Sequence, residues 1–235
     1  MTNTKTLYQH GTLALLVPGL LDGTITMKEL LEHGDTGIGT GEGLDGELII
    51  VDGVPYQVDS AGQVNVVKDD FTMPFANSHF AEYRHLFDAK AMSPVELDKK
   101  ILSLTSSNTF FSVKVHGTFT NIKTRAVKKS TKPYATLAKN AENQSIFLRE
   151  SVQGTLLSYY SPEIFDGAVV GGFHHHFMSD QHDFGGHVLE FGGASGPVEI
   201  QVFGTLEQHL PVQNQEYMEH DFSNDDILEA IHQAE

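Results

Sequence analysis

The sequence predicts an α+β chain: a mixed β-sheet with helices over about residues 1–130, then a β-barrel-like half over about 131–235. Three observations predict it. Two capping-box patterns precede apolar runs in the first half and place helices there. Short apolar segments separated by turn signals recur through the second half, as in a small barrel or sandwich. Between the two, Lys128-Lys-Ser-Thr-Lys-Pro133 is polar and holds a proline, which makes it the best candidate boundary.

In chain order, Thr26-Met-Lys-Glu29 is the first capping box, ahead of Leu30-Leu31, with Gly34 as the stop. Gly37-Ile-Gly-Thr-Gly-Glu-Gly43 reads as a glycine-dense loop. It lacks the Lys-Ser/Thr of a phosphate loop and no apolar strand leads into it, so a nucleotide site is not expected. Glu47–Val51 and Val54–Val58, joined by Asp52-Gly53, form a β-hairpin pattern. Ser93-Pro94-Val95-Glu96 is the second capping box, with proline at the first helical position, and its helix should reach about Ser103. Phe111, Val113 and Val115 alternate with polar residues as a half-buried strand, and a second strand from about Thr118 to Val127 carries Arg125. The six apolar segments between Ile146 and Phe203 follow. Ile227, Leu228 and Ile231 then suggest a short amphipathic terminal helix.

A chain of 235 residues can bury a substantial core, and 40% hydrophobic content is that of a globular protein. Its formal charge of −16 disfavours nucleic acid and anionic membrane as partners. With no cysteine, disulfides and thiolate metal sites are excluded, and any metal must be held by histidine and carboxylate. The apolar run Leu13–Val17 is too short to span a bilayer and no small-residue cleavage site follows it, so a cytoplasmic protein is expected.

Gly172–Phe191 holds five of the thirteen histidines. On a strand, His174 and His176 point to one face and His175 to the other. Gly185-Gly186 supplies a turn, and His187 on the return strand can then face the first two. Three neutral imidazoles converging in this way suit a first-row divalent ion, most often zinc, and leave coordination positions open for chemistry. An internal, interrupted array is not a purification tag. Ordinary strand histidines remain the competing reading, and it is the preferred one for His175 and His182.

Leu7-Tyr-Gln, Leu30-Leu-Glu-His-Gly-Asp-Thr-Gly-Ile-Gly-Thr40, Leu44-Asp-Gly-Glu47, Ile122-Lys-Thr-Arg125, Lys132-Pro-Tyr134 and the histidine hairpin together resemble the bacterial α-acetolactate decarboxylases, nearly end to end. That family usually has an apolar residue where this chain has His175, on the strand face away from the ligands. The resemblance implies zinc-dependent decarboxylation of (S)-2-acetolactate to (R)-acetoin and carbon dioxide, in acetoin and butanediol biosynthesis, by a homodimer. It implies His174, His176 and His187 as zinc ligands, and Glu47 and Arg125 as catalytic groups reaching the zinc from the other half. Arg125 and Thr40 are implied as substrate-binding residues, and a tail glutamate, best matched by Glu235 and alternatively by Glu229, as a further catalytic group. On their own, Glu47 would read as a charged strand-start residue, Arg125 as a cross-strand ion-pair partner and Glu235 as a frayed terminal charge.

Two other functions compete. A cupin-type metalloenzyme, an isomerase or dioxygenase, shares the His-x-His pattern but usually has a glutamate where Asp180 stands. A non-catalytic metal-binding protein would give no role to Glu47 or Arg125.

Overall fold

The structure is a computed structural model that describes residues 3–169 and 171–234, the side chains of 232–234 excepted. Two large sheets carry the fold. The first has strand order Thr205–His209, Thr6–His10, Phe75–His79, Thr36–Gly41, Asp45–Val51, Val54–Val58, Val64–Val66. Its neighbours run antiparallel except the first pair, in which Thr205–His209 returns from the end of the chain to lie parallel to Thr6–His10. The second sheet has order Ser145–Ser161, Gly172–Ser179, Gly185–Glu190, Phe110–Ala126, Gly193–Phe203, Arg84–Met92. Strands from both sides of residue 130 therefore share each sheet.

In the second sheet Phe110–Ala126 also pairs directly with Ser145–Ser161. Four strands thus close a circuit: 110–126 with 145–161, that with 172–179, that with 185–190, and that back to 110–126. This circuit is the barrel-like part of an α+β fold, and the remaining strands extend from it as open sheet.

Several local expectations hold. Thr26 and Glu29 exchange both hydrogen bonds of a capping box on the helix Met27–Leu31. Ser93 and Glu96 do the same on Pro94–Leu102. Val51 pairs with Val54 across Asp52-Gly53, whose φ angles of 51° and 76° suit a tight hairpin turn. The terminal helix is Ile227–Ala234.

Three expectations are corrected. The glycine-dense stretch is not a loop: Thr36–Gly41 is a fully buried central strand between Phe75–His79 and Asp45–Val51. Its glycines permit close packing, since a Cβ on Gly37 would lie 2.1 Å from the Asn77 carbonyl oxygen and one on Gly39 2.7 Å from the Ala76 Cβ. The two strands expected around residues 111–127 are one, Phe110–Ala126, running unbroken through Gly117, where a Cβ would meet the Ser195 carbonyl oxygen at 2.0 Å. Gly34 does not adopt the left-handed cap that stops a helix: it lies two residues beyond the cap at Glu32 and is packed against the His79 backbone.

Strand alternation decides which residues meet. Ile38 and Ile49 of the first sheet pack with Leu157, Tyr159, Met178 and Phe203 of the second in one hydrophobic layer between the sheets. Leu48 and Ile50 point the other way, onto Met27 and Leu30 of the capped helix. The unbroken apolar run Leu48-Ile49-Ile50 is thereby buried on both faces. A further cluster joins the helices Leu13–Leu16, Leu137–Ala141 and Ile227–Ala234 through Leu13, Leu16, Leu137 and Ile231. No helix among the described residues is long and apolar enough to cross a membrane.

Candidate metal centre and active site

His174 and His176 are two residues apart on Gly172–Ser179, so they share a face with Met178, which belongs to the layer between the sheets. His187 lies directly opposite His176 in the neighbouring strand. Alternation thus brings all three imidazoles to the same side. His174 Nε2 is 3.0 Å from His187 Nδ1 and 3.2 Å from His176 Nε2, and the three offer donor atoms all within 4.8 Å of one another. Two nitrogens each about 2.1 Å from one ion stand roughly 3.0–3.4 Å apart, from octahedral to tetrahedral angles. The donor set therefore fits a divalent first-row cation.

The histidines are held ready for such an ion. The Leu48 carbonyl can only accept, so His176 Nδ1 carries the hydrogen of their 3.1 Å bond and Nε2 keeps its lone pair for the cluster. Burial is the main force holding His176 and His187 well below the ordinary imidazole pKa. For His176 the neighbouring His174 adds to it, and for His187 the Arg125 guanidinium does. Both rings are consequently neutral, the form that binds metal.

Glu47 and Thr40 come from the first sheet. Glu47 is two residues before Ile49, and Thr40 is both two residues after Ile38 and the register partner of Glu47. Both therefore face the second sheet. Glu47 Oε2 lies 3.5 Å from His176 Nε2. The Thr40 hydroxyl donates to the Gly46 carbonyl at 2.8 Å, leaving its methyl and its acceptor lone pairs to a ligand. Arg125 is the register partner of His187, is 5% exposed, and donates from Nη1 to the Gln144 side-chain oxygen at 3.1 Å.

These residues line one cavity of about 520 Å³, its open mouth included. The polar end holds His174, His176, His187, Glu47, Arg125 and Thr40; the rest is apolar, with Leu13, Leu16, Phe75 and Leu137 among the wall residues. Glu235 lies outside the described residues. Glu229 lies on the terminal helix, which packs on the roof of this cavity through Ile231.

His175 and His182 stand apart, as the strand pattern requires. His175 faces the other way, its Nδ1 2.5 Å from the Ser158 hydroxyl and its Nε2 3.4 Å from Asp98 Oδ2. His182 sits in the hairpin loop, stacked on Tyr56. Sequence reasoning missed the apolar wall, the Leu48 carbonyl and Gln144. The run Leu13–Val17 carried a signal, being too short for a membrane and too apolar for a surface turn. A backbone carbonyl carries none.

A model of the alpha-acetolactate decarboxylase family matches residues 7–224. The alpha-acetolactate decarboxylase of Lactococcus lactis subsp. lactis is 37% identical over 240 residues, with all of both chains covered. That of Bacillus licheniformis is 33% identical, covering 99% of this chain and 92% of its own. The crystal structure of the Bacillus subtilis alpha-acetolactate decarboxylase superposes with a TM-score of 0.92 at 30% identity, over 98% of this chain and 99% of that one. A Staphylococcus aureus protein described as similar to alpha-acetolactate decarboxylase superposes with a TM-score of 0.94 at 37% identity, over 98% and 100%. The likeness runs the length of the chain in sequence and in fold alike, and the chain belongs to the alpha-acetolactate decarboxylase family of carboxy-lyases.

Proposed function

We propose that this enzyme converts (S)-2-acetolactate to (R)-acetoin and carbon dioxide with a zinc ion held by His174, His176 and His187. The observation that carries the reading is the meeting of three metal-competent imidazoles with Glu47 and Arg125 at the polar end of one small cavity. Zinc supplies a Lewis acid that stabilises the negative charge developing on the ketone oxygen as carbon dioxide leaves.

The protein's own groups do the rest. Arg125 presents a fixed positive charge to the substrate carboxylate and orients the carbon–carbon bond that breaks. That bond's electron pair moves toward the adjacent ketone, and the carbon that lost the carboxylate must then take one proton. Glu47, beside the imidazoles, delivers it from the first-sheet side, and one-sided delivery gives one enantiomer. Thr40 and the apolar wall shape the space for the methyl groups and keep water from competing for that proton.

The test is turnover of racemic acetolactate with zinc restored and with a chelator present, reading acetoin chirality over time. Metal-dependent formation of the R product supports the reading. A zinc-replete enzyme no faster than the spontaneous, racemic background would overturn it.

A further inference from the structure

Gln144 lies outside the metal cluster, and nothing in its sequence neighbourhood marks it. Its side-chain oxygen nevertheless accepts from Arg125 Nη1 at 3.1 Å. Its own place is fixed from both sides. The Gln144 backbone N–H donates to Ala141, the last residue of the helix Leu137–Ala141. The next residue, Ser145, starts a long strand and is the register partner of Ala126, the neighbour of Arg125. Gln144 is therefore an acceptor anchored beside the guanidinium, between the cavity roof and the strand that bears Arg125.

We propose that Gln144 is a positioning residue for Arg125, holding the guanidinium in the orientation that receives the substrate carboxylate. The proposal rests on the reading of Arg125 given above. A long arginine side chain has several rotamers, and ordering it when substrate arrives would cost binding energy. A hydrogen bond from a charged donor to an anchored acceptor removes much of that cost beforehand. An amide does so without adding negative charge next to the place where a carboxylate must bind and then leave. A glutamate here would form its own ion pair with Arg125 and compete with the substrate.

The experiment uses metal-saturated full-length enzyme and two competitive inhibitors. One is 2-hydroxy-2-methylpropanoate, which keeps a hydroxyl, a methyl and a carboxylate but has no ketone to accept the electron pair. The other is acetoin, which has no carboxylate. For Gln144→Leu the inhibition constant of the hydroxy acid is expected to rise about tenfold, the scale of one hydrogen bond to a charged group, while that of acetoin stays within about twofold. Gln144→Glu is expected to weaken the hydroxy acid at least as much. Gln144→Ala supplies the same reading where the leucine variant folds poorly.

Hydroxy-acid binding within about twofold of wild type in the leucine or alanine variant, alongside a lower melting temperature, would show a merely structural role and overturn the proposal. Equal loss of both inhibitors would overturn it too, because the effect would not pass through the carboxylate. Wild-type hydroxy-acid binding in Gln144→Glu would remove the need for a neutral partner. Arg125→Gln separates the two readings. A rise with Arg125→Gln but none with Gln144→Leu overturns only the positioning role, whereas no rise with Arg125→Gln removes the role assigned to Arg125 and this proposal with it.

Discussion

His176 and Leu48 belong to different sheets, and the His176 Nδ1–H donates to the Leu48 carbonyl across 3.1 Å. The bond fixes the ring's tautomer and its aim at once, so the first sheet orients an imidazole that the second sheet carries. His176→Ala should lower metal affinity by at least about a hundredfold and reduce turnover to background. His175→Val, one residue away on the opposite face, should leave the bound metal unchanged. Metal content after dialysis, measured on both variants side by side, checks the contrast. Equal loss in both would contradict the assignment of faces.

Glu47→Gln keeps the shape of the side chain and removes its titratable proton. Turnover should fall about a hundredfold, the usual contribution of a positioned acid or base, with metal content unchanged and the excess of one acetoin enantiomer reduced. Wild-type turnover with wild-type chirality would take Glu47 out of the proton transfer.

The buried glycine strand makes a prediction about stability. A Cβ on Gly39 would sit 2.7 Å from both the Ala76 Cβ and the Phe75 carbonyl oxygen, so Gly39→Ala must push two central strands apart. A cost of about 3 kcal/mol is expected, read as a lower denaturation midpoint. Gly53→Ala meets nothing within 4 Å, and only its φ of 76° penalises it, so it should cost about 1 kcal/mol. Similar losses for the two would deny that close packing explains the strand.

What was legible in the sequence and what was not divides on locality. The gathering of the three histidines could be read because two-residue alternation is a short-range fact, although Gly185-Gly186, expected as the turn, begins the return strand and the turn itself lies at 180–184. The capping boxes at Thr26 and Ser93 were readable for the same reason. Thr36–Gly41 was misread because its glycines answer to Phe75–His79, a partner that local pattern does not reveal. Residues 111–127 were divided because Gly117 resembles a break until Ser195 is seen packed on it. Glu47 and Arg125 were placed at the site by family resemblance alone. Their actual cause is the facing of two sheets, a long-range relation between Ile49 and Met178 that no window of sequence contains.

Ile231 is fully buried against the apolar residues that roof the cavity. A helix of eight residues is not stable by itself, so its position depends on that docking. Ile231→Ala should weaken docking by about 2–4 kcal/mol and lower turnover several-fold while the metal stays bound. Turnover unchanged from wild type would show that the terminal helix does not help close the cavity.

His79 gives an acid-side prediction. Its Nδ1–H donates to the Tyr159 hydroxyl at 2.9 Å, and its Nε2 is buried without a hydrogen-bond partner among the described residues. Burial lowers its pKa from 6.5 to about 3. The unfolded chain therefore takes up this proton first as pH falls. The stability in question is whole above pH 6.5 and is lost progressively from there toward about pH 3. Between pH 6.5 and 5 this one group should cost about 2 kcal/mol. Denaturant titrations at both pH values should show wild type losing about 2 kcal/mol more stability than His79→Gln between pH 6.5 and 5. Identical acid sensitivity would mean that His79 does not stay neutral in the fold.

The four-strand circuit pairs Gly172–Ser179 along its whole length on one side and at His176, Phe177 and Met178 on the other, so the strand that bears two of the three imidazoles is anchored from end to end. Ordering that a small metal peptide must achieve when its ion arrives has here already been completed by the sheet. Removal and return of the ion should accordingly leave the backbone amides of this strand equally slow to exchange with deuterium. Reloading should follow the rate at which ions reach the cavity rather than any rate of refolding.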